Sequence, residues 1–123
     1  MAFLTDRKRA TGMGSAKTGT EHFWLMKVSS VALLLLIPLF VFTFGPMLGE
    51  THENVLAYFA RPFPAIVAAL TIGVTFMHFK NGAQTMIKDY VHGTSQKGAI
   101  IFVICLSYAA AATGLFAIAR IAL

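Results

Sequence analysis

The residues best placed to do chemistry lie in one stretch, "FMHFKNGAQTMIKDYVHG", from Phe76 to Gly93. It continues a long apolar segment, yet it holds two histidines, two lysines, an asparagine, a glutamine and an aspartate. Ionisable groups at membrane depth are costly, face the interior of a bundle and mark functional sites. His78 is the only histidine well inside an apolar run. Its imidazole could be a haem ligand, a proton relay or a substrate contact; a packing histidine hydrogen-bonded to a neighbouring helix is the bland reading. Ligation of haem iron by two histidines needs two at membrane depth. The second would therefore come from another subunit or another copy of this chain.

On a helix at ~100° per residue, Thr71, Thr75, His78, Gly82, Thr85 and Asp89 fall on one stripe. This small and polar seam on an apolar helix is a packing face turned into a bundle. Gly82 follows His78 by one turn and lets something broad and flat approach the backbone beside the imidazole. Asp89 is three turns further, roughly 16 Å away at 1.5 Å per residue. The Asp89-Tyr90 pair suits a quinone. A tyrosine hydroxyl can donate to a carbonyl oxygen, and a neighbouring carboxylate can orient it or pass protons. The plainer alternative is an interfacial tyrosine beside an acid that offsets Lys88.

The elements that must carry these groups are helices in a membrane. The chain has 123 residues, of which 57% are hydrophobic and 12% charged, with a mean hydropathy of +0.72. That composition is too apolar for a soluble domain of this size. Three apolar segments, roughly 28–48, 63–88 and 98–120, are each long enough to cross a hydrocarbon core of ~30 Å. They predict an all-α membrane protein and a single domain over residues 1–123, with a basic tail at 1–27 and loops near 49–61 and 89–97. Pro38 is tolerated in such a helix. Ala110 and Gly114, in the run "AAAATG", form a small-xxx-small pair that predicts close helix packing.

Charge sets the orientation. Arg7, Lys8, Arg9, Lys17 and Lys27 flank the first helix, and Lys88 and Lys97 the second loop, whereas the first loop has only Arg61 and the C-terminus only Arg120. The excess of basic residues predicts a cytoplasmic N-terminus and second loop. A transit peptide is the other reading of the tail; the topological one is preferred. The net charge of +5 is explained by this topology, with no nucleic-acid partner.

One cysteine, Cys105, excludes an internal disulfide, a cysteine zinc site and a four-cysteine iron–sulfur cluster. "GMGSAKTG" at 12–19 resembles a phosphate loop but has Ala16 where Gly must precede Lys; it reads as flexible tail. Trp24 reads as an interfacial anchor, and His22, His52 and His92 as solvated histidines.

With these features the chain resembles the small hydrophobic membrane anchors of succinate dehydrogenase, respiratory complex II, of the cytochrome b type. The resemblance rests on "HFKNGAQTMIKDY". The family carries a haem-ligand histidine, a glycine four residues on, and Asp-Tyr at plus eleven and plus twelve, matched here by His78, Gly82, Asp89 and Tyr90. "EHFWLMKVSS" is similar to the family's aromatic-rich first helix, with Lys27 where arginine is common. Lysine supplies the charge but not a bidentate fork.

The resemblance implies that three helices form half of a heterodimeric bundle with a second hydrophobic cytochrome b anchor subunit. His78 would be an axial ligand to the iron of a shared haem b, with Gly82 allowing close approach. Lys27 would contact a haem propionate or the quinone site. Asp89 and Tyr90 would bind ubiquinone. A flavoprotein subunit and an iron–sulfur subunit would dock on the cytoplasmic face, in a bacterial inner membrane in preference to a mitochondrial one. The chain alone could not oxidise succinate, having neither a flavin domain nor cluster ligands. Two alternatives stand beside this: a small membrane transporter subunit, and a purely structural anchor without a redox role.

Overall fold

The computed structural model describes residues 3–14 and 19–123. Every regular element among them is helical: α1 (Asp6–Thr11), α2 (Gly19–Phe44), α3 (His52–Phe59), α4 (Pro62–Tyr90) and α5 (Thr94–Ala122), with a 3-10 turn at Gly45–Met47 after α2. Three of these helices are long and apolar enough to cross a membrane. At 1.5 Å per residue the shortest of them, α2, runs ~39 Å, beyond the hydrocarbon core itself.

The helices start and stop where local chemistry says. Thr51 caps α3 by accepting from the Asn54 N–H at 3.3 Å, the N-cap role of a threonine side chain. Pro62 opens α4, where a missing N–H costs nothing. Gly45 and Pro46 end α2, since proline has no N–H to continue the ladder. Gly93 turns the chain between α4 and α5 at φ 73°, a conformation that favours glycine. Gln96 Nε2 donates to the Lys88 carbonyl at 3.2 Å and satisfies one of the open acceptors at the end of α4.

Three places differ from expectation. The first spanning helix begins at Gly19, not near 28, so the tail assigned to 1–27 includes a helical segment. The stretch 20–27 contains no breaker, and Glu21 in the first turn favours helix. Hydropathy stops at Lys27 while the helical backbone does not. The loop at 49–61 likewise contains α3. The second loop contracts to 91–93 between α4 and α5, placing Asp89 in α4 and Lys97 in α5. Of the phosphate-loop look-alike, residues 15–18 lie outside the described residues.

Helix α4 is central. It packs against α2 on one side and α5 on the other, while α3 touches α4 and α5. Accordingly 22% of its most apolar stretch is buried, against 6% for each flanking span. The α4–α5 contact is tight at Gly114, where a Cβ would lie 3.0 Å from Ile72 Cγ2. This is the close packing expected of the small-residue run. Pro38 lies inside α2, which continues through it. Large apolar side chains such as Val31, Leu34, Phe42, Ile101 and Phe116 remain exposed, as suits helices solvated by lipid or covered by other subunits.

Candidate functional site

His78 sits where α4 meets α2. Its Nδ1 lies 2.8 Å from Ser29 Oγ, and Ser29 is 1% exposed. The same hydroxyl is 2.7 Å from the Leu25 carbonyl and 3.0 Å from the Met26 carbonyl, one turn back on α2. The imidazole also lines an open well of about 410 Å³ with Ser30, Leu33, Leu34, Ile37 and Pro38.

A second well of about 460 Å³ is lined by Gly19, His22, Phe23, Met26, Gly82 and Thr85. On α2 the two linings continue one another at helical spacing, as Gly19, Phe23, Met26, Ser30, Leu33 and Ile37. The wells therefore lie along one face of the α2–α4 groove. Gly82 forms part of the floor. A Cβ there would meet only the Met26 methyl, at 3.7 Å, so the backbone is open on that side.

The seam read from the sequence is thus partly a packing face and partly a groove wall. Thr71 hydrogen-bonds its own helix at the Val67 carbonyl, 2.7 Å. Thr85 does so at Asn81, 3.1 Å, and its Oγ1 also lies 3.4 Å from His22 Nε2. His22, read as a solvated histidine, is half-buried and lies near Thr85. Because α2 begins nine residues earlier than hydropathy implies, it lies against α4 and lines the groove. The helix-compatible sequence before Lys27 is the signal that points to it.

Lys27 is exposed, with Nζ 5.4 Å from the centroid of the Phe23 ring. Asp89 and Tyr90 are the last two residues of α4. Both are exposed, Tyr90 to 80%, so the tyrosine is presented outward at a helix end rather than packed in the bundle. The structure does not bring this pair together with His78: they are eleven and twelve residues apart, roughly 16–18 Å along the helix.

A further polar pair has no counterpart in the sequence reading. Lys80 Nζ donates to Tyr108 Oη at 3.1 Å and lies 5.0 Å from that ring's centroid. The pair joins α4 to α5 within two apolar helices, where a lysine needs such a partner. Among the described residues no group of three or more His, Cys, Asp or Glu is arranged to hold a metal ion. Any metal at His78 would therefore draw its remaining ligands from elsewhere.

Comparison with known proteins gives a consistent result. Residues 2–116 match the profile of a family described as succinate dehydrogenase/fumarate reductase transmembrane subunit. A succinate dehydrogenase hydrophobic membrane anchor subunit of Paracoccus denitrificans is 46% identical over 123 residues, covering 100% of this chain and 95% of that protein. One from Rickettsia conorii is 25% identical over 105 residues, covering 85% and 83%. A succinate dehydrogenase membrane anchor subunit of Reclinomonas americana is 28% identical over 91 residues, covering 72% and 76%. No solved structure is significantly similar to the chain.

Proposed function

From the chain's membership of the succinate dehydrogenase/fumarate reductase transmembrane subunit family, as a membrane anchor, we propose that it supplies one axial ligand to a haem b and part of a ubiquinone-reducing site. The observation that carries the haem reading is the placement of His78. Its Nδ1 is engaged by Ser29 while the ring lines an open apolar groove. Nε2 is then the nitrogen left for iron, and a ligating histidine typically has its other nitrogen held by a hydrogen-bond partner.

The residues present fit such a group. The groove is long, apolar and open on one side, and Gly82 leaves its floor bare at the level of the imidazole's next turn. Haem would supply a one-electron centre when bound. A second hydrophobic cytochrome b anchor subunit would cover the open side and provide the other ligand. Lys27, on the same helix as Ser29 and exposed, supplies positive charge for a propionate or for the quinone site.

Tyr90 and Asp89 serve the quinone. Reduction of a quinone to a quinol takes two electrons and two protons. The electrons come from an iron–sulfur subunit, itself fed by a flavoprotein subunit that oxidises succinate. Tyr90 donates its hydroxyl proton to a hydrogen bond at a quinone carbonyl, and Asp89 orients that hydroxyl or relays a proton from water. Their exposure at a helix end gives access to both lipid and water. With the excess of lysine and arginine on the N-terminal side, this end faces the cytoplasm of a bacterium, where the soluble subunits dock. Family membership supersedes the transporter alternative.

The test is quinone reduction by the intact complex after Tyr90→Phe, measured beside succinate oxidation by a water-soluble electron acceptor. The proposal expects the first to fall and the second to hold. Equal rates and equal quinone KM in parent and variant would remove Tyr90 from the site.

A further inference from the structure

Ser29 has one hydroxyl proton and three close neighbours. Two are carbonyl oxygens, Leu25 at 2.7 Å and Met26 at 3.0 Å; the third is His78 Nδ1 at 2.8 Å. If the proton pointed to Nδ1, the hydroxyl oxygen would face two carbonyl oxygens at hydrogen-bond distance with no hydrogen between them. That arrangement is repulsive in a site that water does not reach, Ser29 being 1% exposed. Turning the proton toward the carbonyls removes the conflict. The oxygen then accepts, and Nδ1 must carry the donated proton.

We propose that Ser29 is a positioning residue for His78: its hydroxyl accepts from Nδ1–H, fixes the neutral tautomer with the lone pair on Nε2, and holds the ring toward the groove. The back-bonds to α2 make Ser29 a rigid acceptor, since two carbonyls of its own helix set the direction of its hydroxyl proton. Histidine tautomer is set by the hydrogen bond of the non-ligating nitrogen. Such a partner also raises the basicity of the nitrogen that binds iron, which favours the ferric state. The inference rests on the reading of His78 as a haem ligand and adds to it a residue that acts through the imidazole.

The experiment uses the whole membrane complex carrying Ser29→Ala, Ser29→Cys or Ser29→Thr, with His78→Ala as the reference. The readouts are the haem midpoint potential and the low-spin electron paramagnetic resonance g-values, normalised to haem content. The expected result is an upward shift of potential with altered g-values in Ser29→Ala, restored toward the parent by Ser29→Thr. Should Ser29→Ala fail to assemble, Ser29→Cys keeps the side chain small but offers only a weak sulfur acceptor, and the same upward shift is expected there. Unchanged potential and g-values in Ser29→Ala, or in Ser29→Cys where it alone assembles, would overturn the role of Ser29 while leaving His78 as ligand. A haem spectrum unaffected by His78→Ala would instead remove the haem reading on which the inference stands.

Discussion

Gly114 of α5 faces Ile72 of α4 so closely that a Cβ on the glycine would lie 3.0 Å from Ile72 Cγ2 and 3.3 Å from its Cδ1. This contact fixes the spacing of the central helix against its neighbour. In a membrane there is little hydrophobic drive between helices, so close packing of small residues carries much of the association.

Gly114→Leu is therefore expected to push α5 away from α4. Overpacking of this kind costs about 1–3 kcal/mol. The measurement is the thermal stability of the detergent-solubilised complex. Its midpoint should fall, and Ile72→Ala in the same chain should recover part of the loss by freeing the space. No fall would mean that the α4–α5 contact is not the tight one described.

Lys80 and Tyr108 make a second tie between the same helices. Tyr108→Phe removes the oxygen that accepts from the ammonium and keeps the ring beneath it. Interhelical polar contacts in membranes contribute about 0.5–1.5 kcal/mol, so a modest loss of stability is expected, with quinone reduction unchanged. The comparison of Tyr108→Phe with Tyr108→Leu separates the hydrogen bond from the ring contact.

Tyr90→Phe is expected to slow quinone reduction roughly tenfold, the equivalent of one lost hydrogen bond of about 1.4 kcal/mol in the transition state. Asp89→Asn, which keeps shape but not charge, should lower the rate. Succinate oxidation by a soluble acceptor reports whether the remaining subunits are intact, and should stay at the parental rate in both variants.

Much of the fold is legible in the sequence because its dominant signal is long apolar runs, and helices are the one open-chain way to satisfy a backbone in lipid. The three spans, the stripe through His78 and Gly82, and the close approach at Gly114 all follow from that periodicity. The misjudged places are those where polarity and helicity part company. Residues 20–27 are polar and aromatic yet helical, so hydropathy cuts α2 short and leaves His22 outside the bundle, whereas it lies against Thr85. α3 is too short and too polar to register as a span. Ser29 is hidden for a different reason. A serine on an apolar helix ordinarily bonds its own backbone, and only the packing of α2 on α4 reveals that it also meets His78.

Ser29 also shows why the candidate site is only half legible. His78 stands out in the sequence by its type, depth and spacing within one helix. Its hydrogen-bond partner Ser29 is 49 residues away in sequence and is met only through three-dimensional contact.

The central claim is that His78 ligates haem iron in the assembled complex. Its most direct test is the dithionite-reduced-minus-oxidised optical spectrum of the purified complex, parent against His78→Ala, with subunit content checked on the same preparation. The expected result is a b-type signal in the parent that is lost or clearly altered in His78→Ala. An unchanged b-type signal in a fully assembled His78→Ala complex would contradict the claim.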